Sequence, residues 1–137
     1  MIVAVESDPI GTVLLVDDDK DLREFLYQHL LLCGHSVLQA GSGMEASERF
    51  RHHKNDIDIM VTDIVMPGYS GDQLAVRLQA EKPNLPVLFI SGNSAAQVNS
   101  VVPLLEGENF LRKPFSLDTL ERAIANLLRL SQAVPVE

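Results

Sequence analysis

Short apolar runs rich in valine, isoleucine and leucine alternate with longer segments of helical periodicity along this chain of 137 residues. Alternation of this kind is typical of repeated β-α units, which place parallel strands in one sheet and pack helices on its two faces. Five such units can be counted after the first 11 residues. The pattern therefore predicts an α/β fold, with a doubly wound sheet of five parallel strands and five helices.

The length allows one domain, because a domain takes roughly 150 residues. We predict that this domain covers residues 12–131. Residues 1–11 contain Pro9 and Gly11 and show no periodicity, so we interpret them as a leader in which partial disorder is expected. We interpret residues 132–137 as a C-terminal tail.

Five strands are predicted from the apolar runs, at residues 13–16, 37–40, 57–62, 87–90 and 109–112. Apolar residues at spacings of three and four predict the helices that follow them. Asp19 and Ser116 are residue types that cap helices, and they precede the first and the last helical pattern. The segment from Ala95 to Leu105 gives the weakest helix pattern, because Pro103 and its neighbours are poor helix formers. We expect a short or irregular helix there.

Charge and composition exclude several classes of protein. The chain carries 19 Asp and Glu against 11 Lys and Arg, a formal net charge of -8, whereas nucleic-acid binding requires clustered positive charge. No apolar run approaches the roughly 20 residues that cross a bilayer, and the start lacks the basic region of a signal peptide. With Cys33 as its single cysteine the chain can close no internal disulfide. We therefore expect a cytoplasmic protein that contacts neither nucleic acid nor membrane.

Polar residues stand at the ends of four predicted strands: Asp17–Asp19, Asp63, Ser91 and Lys113. Strand order 2-1-3-4-5 would bring these ends together at the edge where open parallel sheets bind ligands. Carboxylates that meet there repel one another, and each close pair costs on the order of several kcal/mol at an effective dielectric constant of about 20. A hard divalent cation such as Mg²⁺ suits this set of oxygen ligands.

The same residue types indicate phosphoryl transfer. Lys113 can supply a mobile positive charge, and the Ser91 hydroxyl can donate a hydrogen bond to an oxyanion. Asp63 is the best candidate nucleophile, because Asp17 and Asp18 stand together as metal ligands on the other side of the site.

Each of these residues also has an ordinary structural role, since an aspartate after a strand is most often a helix cap, as we expect for Asp19. Two other functions remain open at this point. One is a small Mg²⁺-dependent phosphohydrolase of the haloacid-dehalogenase type, although the acidic pairs that this family needs later in its sequence are missing. The other is a binding module of the same fold that works without phosphorylation.

Over residues 12–130 the sequence resembles the receiver domains of two-component response regulators. The matching motifs are Leu-Leu-Val-Asp-Asp at residues 14–18, Thr-Asp-Ile-Val-Met-Pro at 62–67 with Ser-Gly at 70–71, Val-Leu-Phe-Ile-Ser-Gly at 87–92, and Phe-Leu-Arg-Lys-Pro-Phe at 110–115. Motifs in this order and at this spacing are highly specific. The resemblance implies a flavodoxin-like (CheY-like) fold and a phosphoacceptor switch rather than an enzyme with a separate substrate.

Carried over position by position, the resemblance implies that Asp63 accepts a phosphoryl group from a phosphohistidine. It also implies that Asp17, Asp18 and Asp63 hold Mg²⁺ together with the backbone carbonyl of Val65. Histidine kinases or phosphotransfer proteins are then the expected donors.

The resemblance further implies a switch, in which Ser91 binds the phosphoryl group, Lys113 pairs with it, and Phe110 is the aromatic residue that rotates. Phe110 lacks the hydroxyl of the more usual tyrosine, and Asn109 stands where an aspartate is expected. The output would pass to a downstream protein or to a kinase domain in cis, because parts of the sequence look more like receivers attached to hybrid sensor kinases. We expect a monomer or a weak dimer.

Overall fold

The computed structural model describes residues 8–132. Residues 1–7 and 133–137 lie outside it, and with them most of the predicted leader and tail. The strands in the described part are β1 (Thr12–Val16), β2 (Ser36–Ala40), β3 (Ile59–Asp63), β4 (Val87–Ser91) and β5 (Phe110–Arg112). The helices are α1 (Lys20–Leu32), α2 (Gly43–His53), α3 (Gly71–Glu81) and α4 (Leu117–Gln132). None of these helices is long and apolar enough to cross a membrane.

The five strands form one parallel sheet in the order β2-β1-β3-β4-β5, which confirms the predicted architecture. The register pairs Val16 of β1 with Thr62 of β3, and Asp63 with Ile90 of β4. The residues that follow β1 and end β3 and β4 therefore lie side by side at one edge of the sheet.

Side chains alternate between the two faces of the sheet, and both faces are covered. On one face the strands pack against α2 and α3, through Leu14, Met60, Phe89, Phe50, Leu74 and Leu78. On the other face they pack against α1 and α4, through Leu15, Val61, Leu88, Leu26, Leu30, Leu120 and Ile124. Burial on both faces explains why the strands are apolar throughout rather than alternating with polar residues.

The two predicted helix caps are confirmed. The Asp19 carboxylate accepts hydrogen bonds from the backbone N–H groups of Asp21 and Leu22, both at 3.1 Å. The Ser116 hydroxyl accepts one from the N–H of Thr119 at 3.0 Å. Because Asp19 caps α1, this helix begins immediately after the acidic run and fixes the chain there.

The prediction of a fifth helix is wrong. Within the described residues, the segment 92–109 that joins β4 to β5 forms no helix; we call it the β4–β5 connection. Two β-branched residues, Val101 and Val102, precede Pro103 there, and a proline inside a helix removes a hydrogen bond and clashes with the preceding turn. The connection instead packs Val98, Val102 and Leu104 onto the core.

Candidate functional site

Three carboxylates meet beyond the ends of β1 and β3. Asp17, Asp18 and Asp63 each place an oxygen within 4.8 Å of the others, and we call this group the acidic corner. Asp17 and Asp63 are buried, whereas Asp18 is exposed. The structure therefore brings together the three carboxylates singled out in the sequence and leaves Asp19 as a helix cap.

The backbone fixes the two buried carboxylates. The N–H of Asp17 donates to the Ala40 carbonyl of β2 at 3.1 Å, and the Asp17 carboxylate accepts from the N–H of Asp19 at 2.9 Å. Asp63 is the last residue of β3, and its Oδ1 accepts from the N–H of Val65 at 3.2 Å. Both side chains are thus held at the edge of the sheet by strand pairing and short turns.

Glycine is required where α3 packs behind Asp63. A Cβ at Gly71 would lie 2.1 Å from the carbonyl oxygen of Asp63 and 3.0 Å from the hydroxyl of Thr62. The N–H of Gly71 donates to the carbonyl of Ile64 at 2.8 Å, which brings the start of α3 against the end of β3. This close packing holds the backbone of Asp63 in a fixed position against the start of α3.

Lys113 supplies the positive charge of the site. Its Nζ lies 2.9 Å from Oδ2 of Asp63 and 3.7 Å from Oδ2 of Asp17. The backbone N–H of Lys113 donates to the Ser91 carbonyl at 2.8 Å, and the peptide bond from Lys113 to Pro114 is cis. The lysine therefore lies between two carboxylates of the acidic corner.

Burial and neighbouring charges act in opposite directions on the pKa values of Asp17 and Lys113. Burial raises the pKa of Asp17, and the nearby Asp63 and Asp18 raise it further, although the Asp19 N–H and Lys113 act against this. Burial alone would lower the pKa of Lys113, but its hydrogen bond and ion pair with Asp63 outweigh burial and raise that pKa. Lys113 pairs with two of the three carboxylates, and even with the nearby Arg23 the carboxylates outnumber the cations, so the site has excess negative charge to offer a cation.

The donor set fits Mg²⁺. Three carboxylates at a solvent-accessible edge provide hard oxygen ligands, and Mg²⁺ is usually bound by one or two carboxylates while keeping several waters. Because Asp18 is exposed, there is room on that side for water or a phosphoryl oxygen.

Ser91 and Phe110 lie along the neighbouring strands. Ser91 ends β4, where it is buried, and its hydroxyl oxygen accepts from the N–H of Asn93 at 3.1 Å. Phe110 opens β5 beside Phe89 and is fully buried in the core. Both residues therefore border the β4–β5 connection, one at each end.

Arg23 is a neighbour of the site that the sequence did not reveal. Its guanidinium donates to the backbone carbonyl of Asp17 at 2.6 Å and to the side chain of Gln39 at 3.1 Å. The only signal for it in the sequence is a basic residue in the first turns of the helix after Asp17. Arg23 ties α1 to the carbonyl of Asp17.

The chain is similar to proteins of a known family. The model of the response regulator receiver domain matches residues 13–125. The response regulator receiver protein CpdR of Brucella abortus is 34% identical over 116 residues, which are 85% of this chain and 95% of that protein. A crystal structure of a response regulator receiver protein from Sinorhizobium medicae superposes with a TM-score of 0.74 at 30% identity, and the match covers 90% of this chain and 98% of that one.

Longer relatives match over part of their length. The sensor kinase CckA of Brucella abortus is 34% identical over 125 residues, which are 91% of this chain but 13% of that protein. The chain spans about half the length of several other curated relatives that it matches. These longer relatives are therefore similar to this chain over one domain-sized part of their length.

Proposed function

Because the chain belongs to the receiver-domain family of two-component response regulators, we propose that Asp63 is its phosphoacceptor and that the phosphoryl group comes from a phosphohistidine. The donor is a histidine kinase or a phosphotransfer protein. The observation that carries this proposal is the position of Lys113, whose Nζ is 2.9 Å from Asp63 Oδ2 inside a group of three carboxylates.

The chemistry is a direct transfer. A carboxylate oxygen of Asp63 forms a bond to phosphorus, the phosphorus–nitrogen bond of the phosphohistidine breaks, and the imidazole leaves with that electron pair. Catalysis of such a step consists of positioning and of stabilising the charge on the phosphoryl oxygens. The Lys113 ammonium, already paired with Asp63, is placed to follow the charge onto the new phosphoryl group.

Two features favour Asp63 over its neighbours. Lys113 Nζ lies 3.7 Å from Oδ2 of Asp17 but 2.9 Å from Oδ2 of Asp63, so the ammonium group is closer to Asp63. Burial raises the pKa of Asp17, so its carboxylate needs a cation beside it to stay ionised. Asp17 is therefore better suited to hold a cation than to act as a nucleophile.

Mg²⁺ would be held by the carboxylates of Asp17, Asp18 and Asp63 and by the backbone carbonyl of Val65. When bound, it neutralises charge on the carboxylates and on the incoming phosphoryl oxygens. Asp17 and Asp63 enter this arrangement already held in place by backbone hydrogen bonds.

The output is a change of surface in the β4–β5 connection. The Ser91 hydroxyl can donate to a phosphoryl oxygen while its oxygen accepts from Asn93. Movement of Ser91 toward phosphorylated Asp63 would pull the start of the connection inward, and Phe110 would repack at its other end. Phosphorylation would thus bias an equilibrium between two conformations. The changed surface would be bound by a downstream protein, or by a kinase domain in cis, in the cytoplasm.

Transfer of label tests the acceptor. Wild-type protein incubated with Mg²⁺ and either acetyl phosphate or a phosphorylated histidine kinase should take up about one phosphoryl group per chain. Asp63→Asn should take up none. The matched control is Asp56→Asn, which removes a carboxylate whose side chain is 74% exposed and should be labelled like the wild type. Label on Asp63→Asn would overturn the assignment.

A further inference from the structure

A second set of metal-ligating side chains lies at the far end of α1 from the acidic corner. His29 and Cys33 are four residues apart on α1 and its C-cap, so they share one face of the helix. Glu121 faces them from α4. A ring nitrogen of His29, Cys33 Sγ and a Glu121 carboxylate oxygen all lie within 4.8 Å of one another, and all three residues are half-buried.

His35 orients the Glu121 carboxylate. The backbone N–H of Gly11 donates to His35 Nδ1 at 3.2 Å, which leaves the proton of the neutral ring on Nε2. His35 Nε2 lies 2.7 Å from Glu121 Oε1, and the His35 side chain is fully buried. A histidine that holds one oxygen of a carboxylate in this way leaves the other oxygen free to bind a metal.

That other oxygen has no N–H or O–H donor among the described residues, and the Cys33 thiol, a weak donor, interacts with the same carboxylate. Glu121 Oε2 is buried, and buried polar atoms almost always have a partner. A cation bound between Glu121, His29 and Cys33 would provide one.

We propose that His29, Cys33 and Glu121 form a binding site for Zn²⁺. Zn²⁺ binds sulfur at about 2.3 Å and histidine nitrogen at about 2.0–2.1 Å, so two such ligands at a tetrahedral angle lie about 3.5 Å apart. The His29 Nε2 to Cys33 Sγ distance is 3.5 Å. With three protein ligands on a half-exposed surface, water completes the tetrahedron.

The ligand types distinguish this site from the acidic corner. Thiolate and imidazole favour zinc-like ions over Mg²⁺, which prefers oxygen. Burial, followed by the Glu121 carboxylate, raises the pKa of the Cys33 thiol. Binding therefore releases the thiol proton to solvent as the sulfur–zinc bond forms. The bound ion would link α1 to α4 and stabilise the folded chain.

Cobalt spectroscopy tests the site on the full chain. Co²⁺ is titrated into reduced wild-type protein in excess Mg²⁺, which occupies oxygen-only sites. We expect a thiolate-to-cobalt charge-transfer band that saturates at one equivalent and disappears when Zn²⁺ is added. Since the chain has one cysteine, the band can come only from Cys33.

Variants assign the remaining ligands. Cys33→Ser should abolish the band, and His29→Ala and Glu121→Gln should each weaken Co²⁺ binding by at least about tenfold. Glu121→Gln keeps a side-chain oxygen that can accept the hydrogen bond from His35. Circular dichroism checks that each variant is folded. If Glu121→Gln does not fold, the Co²⁺ affinity of His29→Ala decides whether the site exists, because His29 is only half-buried. His52→Ala is the matched control, because His52 pairs with Glu48 on the exposed face of α2. No band in the wild type, or equal affinity in folded His29→Ala, would overturn the proposal.

Discussion

The acidic corner and the β4–β5 connection border the same edge of the sheet, but different forces hold them. Asp63 lies in the central strand, paired on both sides, and Gly71 packs against its carbonyl. The connection has no helix, and its backbone hydrogen bonds are confined to short turns, such as those from Gln97 to Ser94 and from Asn109 to Leu105. Side chains also hold it, since Asp72 Oδ2 accepts from the N–H of Val101 at 2.9 Å and Asn109 Oδ1 from the N–H of Leu105 at 2.7 Å.

Under the proposed function, this difference separates the acidic corner, where phosphoryl transfer would take place, from the connection, whose surface would change. A phosphoacceptor must keep its geometry, which strands buried on both faces provide. A segment that changes its surface needs alternative conformations of similar energy, and segments with few backbone hydrogen bonds open most easily. Ser91 belongs to both regions, because it ends β4 and begins the connection.

Amide hydrogen exchange should show the largest contrast. Strand amides of β1 and β3 should exchange through global or near-global unfolding, whereas amides of the connection should exchange through local opening. We expect the protection factors of Val61 and Thr62 to exceed those of Asn99 and Ser100 by at least about a thousandfold. Equal protection in the two regions would remove the distinction.

Two glycines should respond to very different extents to the same added methyl group. Gly71→Ala places a Cβ against the Asp63 carbonyl and should lower the free energy of unfolding by about 3 kcal/mol or more. Gly92→Ala, in the connection, meets nothing within 4 Å and should change it by about 0.5 kcal/mol or less. Urea denaturation of both variants measures this, and similar losses would show that the connection is packed as tightly as the corner.

Asp72 of α3 holds the connection through a hydrogen bond with the N–H of Val101. Asp72→Ala removes the acceptor for the Val101 N–H and should cost about 1–3 kcal/mol of the free energy of unfolding. Exchange of the Val101 amide should accelerate more than that of β3. Asp72→Asn keeps an acceptor of the same size, so it should lose less than the alanine variant; an equal loss would mean that this hydrogen bond does not tether the connection.

The smallest expected effect is on how the free energy of unfolding changes with pH. Burial acts to raise the pKa of Asp72, but hydrogen bonds from Ser70, Val101, Asp72 itself and Gln73 outweigh it and hold the pKa below 3.8. A depressed pKa stabilises the folded chain above the unfolded value and loses that effect as pH falls through the folded value. The stability difference between wild type and Asp72→Ala should therefore shrink below about pH 3.8. A difference that stays constant from pH 6 to about pH 3 would contradict the cause given for the shift.

The same two regions differ in how well the sequence predicts them. Apolar runs and the residues at their ends were enough to place Asp17, Asp63 and Lys113 at one edge, because parallel strands align their carboxyl ends. For residues 95–105 of the connection the sequence predicts a short or irregular helix, and the breakers around Pro103 indicate only that such a helix is weak. Its actual path depends on Asp72, a residue of α3 that no local pattern links to Val101.

Contacts between distant segments account for the other omissions. Arg23 contacts the carbonyl of Asp17 only because α1 packs beside β1, and Glu121 meets Cys33 only because α4 lies next to α1. A single sequence carries the four-residue spacing of His29 and Cys33, but it does not show the third ligand.

Amide NMR spectra in Mg²⁺, recorded before and after adding beryllofluoride as a mimic of the phosphorylated carboxylate, test whether Asp63 controls the connection. Wild type should show shifts at Asp63, Ser91, Phe110 and Lys113 and through the connection between them, and Asp63→Asn should show none of these. An unchanged wild-type spectrum, or the same shifts in Asp63→Asn, would contradict the proposal that phosphorylation of Asp63 is read out by the β4–β5 connection.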